Sequence, residues 1–116
     1  MTVFDIAKFF GLETRAASDH LSEEVTGGYA SDLLSDVIAH SHKGNLWITI
    51  QTHPNIVAVA AMKELAGIIL AGGREPDPET LKKAEEEGIP ILVSPVFTFE
   101  LAGRLYQKGI SGMSPC

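Results

Sequence analysis

The sequence has one cysteine, few basic residues and no long hydrophobic run, and each shortage excludes a class of protein. Cys116 is the last residue, so no disulfide forms within the chain and a reducing compartment is expected. Nine basic residues against fifteen acidic ones give a net charge of −6, which argues against nucleic acid as a partner. The apolar run at 56–62 is far shorter than the roughly 20 residues of a membrane-spanning helix, and residues 1–20 lack a signal-peptide core. We therefore expect a cytoplasmic protein with no membrane segment.

Motifs that supply catalytic chemistry are also missing. The sequence contains no phosphate-binding GxxxxGK(S/T) loop and no GxSxG nucleophile elbow, and its one cysteine is terminal. His40 and His42 are two residues apart, which on a helix places them on different sides, and no cluster of histidine, cysteine and carboxylate residues offers further metal ligands. The sequence therefore predicts no catalytic residue, no metal site and no cofactor.

What the sequence does have is a regular alternation of strands and helices from residue 46 onward. Three strand and helix pairs are predicted: Leu46–Gln51 with Asn55–Leu65, Gly67–Ala71 with Pro78–Glu87, and Pro90–Ser94 with Thr98–Gln107. These strands are apolar on both faces, which is typical of parallel strands covered by helices. The sequence therefore predicts an α/β fold of three layers, with a mainly parallel sheet and helices on both of its faces.

The first part of the chain predicts two more helices and two more strands. Thr2 and Asp5 form a capping box for a helix that Gly11 ends. Its predicted buried face consists of Phe4, Ile6, Phe9 and Phe10. Strands are predicted near Leu12–Arg15 and Glu24–Ala30, and a second helix carries Leu33, Leu34, Val37 and Ile38 at helical spacing. We expect one domain at residues 1–108 and a flexible tail at 109–116.

Polar side chains are predicted to cap three of these helices. Ser31 or Asp32 would cap the second helix, and Asp77 would accept hydrogen bonds from the free amides that follow it. Thr52 or His53 would cap the helix from residue 55, with Pro54 in its first turn.

Three loops follow the carboxyl ends of the predicted parallel strands, at residues 52–55, 72–74 and 94–98. Such loops gather at one edge of a parallel sheet, where ligands bind. The sequence therefore predicts a ligand site at this edge, and its candidate residues are Thr52, His53, Asn55, Gly72, Gly73, Arg74, Ser94 and Thr98.

Each main candidate has a structural alternative that the sequence leaves open. His53 either packs at the start of a helix or faces a ligand with an imidazole that both donates and accepts hydrogen bonds. The pair at 72–73 either makes a tight turn with positive φ or lets backbone amides approach an anion or a ribose. Arg74, the only cation in these loops, either binds a ligand or is neutralised by Glu75 and Asp77.

The helix predicted at Asn55–Leu65 indicates self-association. It is polar only near its ends, whereas a helix that covers a sheet normally has a polar outer face. Its small residues Ala58, Ala60 and Ala61 would allow close approach of a second copy, so a homodimer is expected. The competing explanation is that helix 98–107 or the amino-terminal helix covers this face within one chain.

The stretch THPNIVAVAAMKELAGIILAGGREPDPETLKKAEEEGIPILVSPVFTFELAGRL resembles the DRTGG domain family, and VTGGYASDLLSDV before it resembles the lead-in of its short members. The resemblance runs from about Glu24 to Leu105. It depends on a Gly-Gly pair after an apolar strand and on the PDPETL, EEGIP and TFE starts of the elements that follow. Where the family carries Asp-Arg this chain has Thr52-His53 or His53-Pro54, and the Thr-Gly-Gly position reads Ala71-Gly72-Gly73.

The resemblance implies a fold similar to the amino-terminal domain of HPr kinase/phosphatase. It also implies a non-catalytic regulatory or ligand-sensing module, since the family occurs between CBS domains in some pyrophosphatases and ahead of phosphotransacetylase. Adenine nucleotides regulate some of those proteins, which points to an adenine nucleotide or another small ligand and to an enzyme or kinase partner. Two alternatives stay open, a small enzyme with His53 as acid or base and a purely structural interaction module.

Overall fold

The computed structural model describes residues 1–112, in which five helices and five strands follow one another. In chain order they are α1 (Val3–Phe10), β1 (Glu13–Ala16), β2 (Gly27–Ala30), α2 (Leu34–His40), β3 (Asn45–Thr49), α3 (Asn55–Met62), β4 (Gly67–Leu70), α4 (Pro78–Glu87), β5 (Ile91–Val93) and α5 (Thr98–Gln107). The bounds predicted for α4 and α5 are confirmed, and each predicted strand is present within a few residues of its expected place.

The strands form one sheet in the order β1-β5-β4-β3-β2. β2, β3, β4 and β5 pair in parallel, and β1 is antiparallel to β5 at one edge. Every residue of β3, β4 and β5 is buried, as parallel strands between two helical layers must be. The predicted parallel arrangement of these three strands is confirmed.

Helices cover both faces of the sheet, which confirms the predicted three layers. On one face, side chains of α2, α3 and α4 pack on Trp47, Ile68 and Ile91. On the other face, side chains of α1 and α5 pack on Leu46, Ile69 and Leu92. Alternate residues of one strand thus enter opposite cores, as the two-residue period of a strand requires.

The capping box of α1 is confirmed, but its predicted buried face is partly wrong. The Thr2 hydroxyl accepts from the Asp5 amide at 3.1 Å, and the Asp5 carboxylate accepts from the Thr2 amide at 3.0 Å. The buried residues are Val3, Ile6 and Ala7, whereas Phe4 and Phe9 are 54% and 59% exposed. Positions 3, 6, 7 and 10 form the single helical stripe that faces the sheet, and Phe4 and Phe9 lie outside it.

The predicted cap of α2 is wrong for both candidates, because Asp32 bonds elsewhere and Ser31 accepts from the amide of Leu33, which precedes the helix. The Asp32 carboxylate accepts from the Thr49 hydroxyl at 2.8 Å and from the Ile50 amide at 2.9 Å, so it joins the loop after β2 to the end of β3. The N-cap of α2 is Leu33, which has no capping side chain. Of the four apolar residues expected to pack, Val37 alone is buried, while Leu33 and Ile38 are exposed.

The outer side of α3 does not carry all of the alanines that the sequence predicts there. Ala60 is fully buried against the sheet, while Ala58 and Met62 are exposed. α2 and α4 flank α3 on the same face of the sheet, and α1 and α5 lie on the opposite face, so neither of those two covers it. The competing explanation within one chain is therefore wrong, and Ala60 cannot belong to an outer surface.

The carboxyl-terminal residues that the structure describes contact the sheet. Ile110 belongs to the core beneath α1 and α5, and the Ser111 carbonyl accepts from the Gly28 amide at 3.0 Å, at the β2 edge. The rest of the predicted tail, residues 113–116, lies outside the described residues, so the division at residue 108 stays a prediction.

Burial on α3 predicts opposite outcomes for two neighbouring alanines. Ala60→Glu would force a carboxylate into a filled core and should lower the free energy of unfolding by at least about 3 kcal/mol. Ala58→Glu, on the exposed side of the same helix, should change it by no more than about 0.5 kcal/mol. Urea denaturation followed by circular dichroism measures both, and equal losses would contradict this orientation of α3.

Candidate functional site

The loops after β3, β4 and β5 are joined at the carboxyl edge of the sheet, by which we mean residues 50–55, 71–77 and 94–98. The Gly72 amide donates to the Val96 carbonyl and the Gly73 amide to the Ser94 carbonyl, both at 2.9 Å. The Asp77 amide donates to the Thr52 carbonyl at 3.2 Å. The middle loop is therefore held to both of its neighbours, because parallel strands end side by side.

His53 contacts Asp77 rather than capping α3. Its Nδ1 lies 2.8 Å from Asp77 Oδ2, and the N-cap of α3 is Pro54, with no side-chain hydrogen bond. The Asp77 carboxylate accepts no hydrogen bond from the free amides of α4, so its predicted capping role is wrong although it occupies the N-cap position. The Thr80 hydroxyl donates to the Thr52 carbonyl at 2.7 Å beside this pair. These contacts fix the start of α4 against the loop after β3.

The glycine pair makes a tight turn. Gly72 and Gly73 have φ values of +67° and +76°, the left-handed region that favours glycine. Their amides already donate to backbone carbonyls, so they are not free to bind an anion. A Cβ on Gly72 would lie 2.8 Å from Arg74 Nη1 and 3.1 Å from Phe97 Cδ1, whereas one on Gly73 would meet open space.

Arg74 lacks the carboxylate partners that the sequence offered. Glu75 accepts two hydrogen bonds from Arg15, at 2.8 and 3.1 Å, and Asp77 contacts His53. Arg74 is exposed, its Nη1 lies 3.4 Å from the Gly72 carbonyl, and within residues 1–112 no carboxylate reaches ion-pair distance of it. The edge of an acidic protein therefore carries an unneutralised cation.

A cavity of about 300 Å³ lies at the end of this edge, where β1 meets the loops after β4 and β5. It is lined by Gly11, Glu13, Arg15, Gly73, Glu75, Val93, Ser94 and Pro95. Sequence reasoning found Gly73 and Ser94 but missed Glu13, Arg15 and Glu75. Arg15 Nη2 lies 2.8 Å from Glu13 Oε2. The hydrogen bonds that Arg15 donates to Glu75 hold the pKa of the Glu75 carboxyl below its usual range. No sequence signal shows that β1 pairs antiparallel with β5, which is what brings Arg15 here.

The remaining candidates lie at the starts of elements. Ser94 is buried, and its hydroxyl accepts from the Val96 amide at 3.1 Å. Asn55 is the exposed first residue of α3, and Thr98 is the half-buried first residue of α5. The structure thus groups Gly72, Gly73, Arg74 and Ser94 at the β4 and β5 loops, and it groups Thr52 and His53 with α4.

Two further observations concern ions and membranes. Within residues 1–112, no three histidine, cysteine or acidic side chains converge in a way that could hold a metal ion. No helix in the same range is long and apolar enough to span a bilayer.

Alanine substitutions separate the glycines that need positive φ from one that does not. Gly72→Ala and Gly73→Ala should each lower the free energy of unfolding by about 1–2 kcal/mol, because an L residue is disfavoured in the left-handed region. Gly72→Ala should cost more, since Arg74 and Phe97 must move. Gly103→Ala, in the middle of α5 with open space around it, should instead raise stability by up to about 1 kcal/mol. A neutral Gly73→Ala in thermal denaturation would contradict the turn geometry.

Comparisons with known proteins agree with this fold. The DRTGG domain family model matches residues 13–108. The structure is similar to the CBS and DRTGG domains of the regulatory region of Clostridium perfringens pyrophosphatase, solved with its activator diadenosine tetraphosphate, with a TM-score of 0.67 and 15% sequence identity. The match covers 97% of this chain and 47% of the pyrophosphatase chain, so this chain spans about half of that neighbour. No curated protein sequence matches.

Proposed function

We propose that this chain, which belongs to the DRTGG domain family, is a non-catalytic regulatory domain that binds a nucleotide-like molecule at the carboxyl edge and acts on a partner enzyme or kinase. The regulatory region with the similar fold supports a sensing role, and its diadenosine tetraphosphate supports a nucleotide as ligand. The observation at the site that carries the proposal is Arg74, an exposed guanidinium without a carboxylate partner in residues 1–112. Guanidinium groups bind phosphate through paired, charge-assisted hydrogen bonds.

The polar groups of the edge support binding rather than catalysis. The Ser94 hydroxyl is buried and bonded to the Val96 amide, and the nearest imidazole, His53, contacts Asp77. Nucleophilic catalysis needs a hydroxyl or thiol within hydrogen-bond reach of a base. Within the described residues no hydroxyl or thiol of the edge is hydrogen-bonded to an imidazole, and the Thr49 hydroxyl, which donates to the Asp32 carboxylate at the end of β3, is fully buried.

Adenine nucleotides should stabilise the folded chain. A ligand that binds only the native state raises the free energy of unfolding by RT ln(1 + [L]/Kd), about 2.7 kcal/mol at 100 times Kd. We expect AMP, ATP or diadenosine tetraphosphate to raise Tm by several degrees, measured by calorimetry. Arg74→Gln should reduce this shift.

The control for charge is Lys43→Gln, because Lys43 precedes β3 at the opposite edge and its removal changes the net charge equally. If both variants reduce the rise in Tm equally, binding depends on the net charge of the chain and not on Arg74 at the carboxyl edge. If no nucleotide raises Tm, a nucleotide-sensing function is refuted.

The 2.8 Å contact between His53 and Asp77 favours a second candidate function, an enzyme with His53 as acid or base. An aspartate at Nδ1 orients an imidazole so that Nε2 can exchange a proton. Phosphorus NMR of AMP, ATP and diadenosine tetraphosphate incubated with the chain separates the two functions. Unchanged nucleotides agree with a regulatory domain, whereas conversion that His53→Gln abolishes would establish the enzyme.

We also propose that the chain forms a homodimer, through the α1 and α5 face rather than through α3. Large side chains on this face are exposed, namely Phe4, Phe9, Phe99 and Tyr106. Two shallow grooves meet there and share Arg104 and Gln107, so the surface between Phe9 and Phe99 is continuous. α3 exposes only Ala58 and Met62 of its apolar residues besides the half-buried Ala61. Exposed aromatic surface of this kind is typical of protein interfaces.

Sedimentation equilibrium at tens of micromolar tests the dimer and its face. Phe99→Glu should shift the chain to monomer, because a carboxylate would be desolvated in an apolar contact. Met62→Glu, on the other face, should leave the dimer intact. The reverse pattern would return the interface to α3, and a monomeric wild-type chain would contradict self-association through either face.

A further inference from the structure

Phe97 is an exposed aromatic residue among the polar groups of the carboxyl edge. It lies in the loop after β5 as the N-cap of α5, and 71% of it is exposed. Burial of a phenylalanine side chain stabilises a protein by about 1.5–3 kcal/mol, so one left on a ligand-binding edge forgoes that contribution. Its position therefore suggests a role outside the core.

Phe97 and Arg74 converge on Gly72. A Cβ at Gly72 would lie 3.1 Å from Phe97 Cδ1 and 2.8 Å from Arg74 Nη1, so these two atoms are at most 5.9 Å apart. The absence of a side chain at Gly72 lets both groups lie against the same turn. The hydrogen bond from the Gly72 amide to the Val96 carbonyl fixes this turn to the loop that carries Phe97. The two side chains thus have a rigid common base.

The two side chains are suited to the two parts of a nucleotide, its base and its phosphate. Nucleic-acid bases stack on exposed aromatic rings, and a phosphate pairs with a guanidinium. Arg74 is available for this because Glu75 and Asp77 are engaged by Arg15 and His53. Of the three arginines, Arg15 and Arg104 pair with carboxylates, whereas Arg74 has no such partner within residues 1–112.

We propose that Phe97 and Arg74 form a nucleotide platform, with the base stacked on the Phe97 ring and a phosphate bound by the Arg74 guanidinium. The proposal rests on the proposed nucleotide-sensing function and assigns it to the β4 and β5 loops. Stacking uses the π face that every base has, so the platform does not select adenine among the bases. AMP and GMP should therefore bind with affinities within about threefold of each other.

Isothermal titration of the full chain with AMP tests the platform. Phe97→Leu should weaken binding by roughly 5- to 150-fold, the loss expected for one stacked base, and Phe97→Tyr should retain the affinity. The control is Met62→Ala. Met62 is 59% exposed, ends α3 and belongs neither to the carboxyl edge nor to the proposed dimer face. Its substitution should leave the affinity unchanged.

Fragments of the nucleotide separate the two halves of the platform. Adenosine should bind Phe97→Leu more weakly than the wild type and should bind Arg74→Gln equally well. Ribose 5-phosphate should bind Arg74→Gln more weakly and Phe97→Leu equally well. Amide chemical-shift changes at millimolar ligand measure both. Because both side chains are exposed, the variants should keep the circular dichroism spectrum of the wild type.

The outcomes distinguish this inference from the function on which it rests. If AMP binds the wild type and Phe97→Leu binds it equally well, the platform is wrong and the regulatory function stands. An equal loss with Met62→Ala would also overturn the platform, since it would indicate a general effect of exposed apolar surface. If AMP, ATP and diadenosine tetraphosphate all fail to bind the wild type at millimolar concentration, the nucleotide-sensing function fails first.

Discussion

Parallel pairing of β3, β4 and β5 brings the carboxyl ends of three buried strands side by side, and the geometry of the candidate site depends on it. The pairing places Thr49 opposite Leu70 and Leu70 opposite Val93, so the loops that follow leave the sheet at one level. Each of these residues is buried between two helical layers, which prevents a slip of register because a one-residue shift would reverse every side chain. Loops far apart in the sequence are thereby fixed within hydrogen-bond reach.

The hydrogen bonds between these loops decide which groups remain available to a ligand. The amides of Gly72 and Gly73 and the carboxylates of Glu75 and Asp77 are all used within the fold. Even the exposed residues among them, Gly73 and Glu75, have partners within the fold. These hydrogen bonds make the edge rigid. Arg74 has no carboxylate partner within residues 1–112, so the edge also carries positive charge. Such an edge is suited to binding, because little order has to be created when a ligand arrives.

Sequence periodicity predicted the helices and central strands well, because it reports which residues face the core. It gave the bounds of α4 and α5, where a proline or a threonine starts each helix. It failed where a side chain has a partner distant in the sequence. Asp32 and Asp77 are sound caps by local rules, yet their carboxylates bond to Thr49 and His53 across the sheet edge. Local rules cannot choose between a cap and a distant partner, since both satisfy the same carboxylate.

The loops after β3 and β4 differ in the charge that they bring to the carboxyl edge. The loop after β3 has Thr52-His53-Pro54 where the resemblance to the family implies an Asp-Arg pair, and His53 contacts Asp77 at the start of α4. The loop after β3 therefore contributes no permanent cation. Arg74 supplies one from the loop after β4, beside a turn that Gly72 keeps open and against which the Phe97 ring lies. A ligand that needs a guanidinium at this edge must consequently bind nearer to β4 and β5 than to β3.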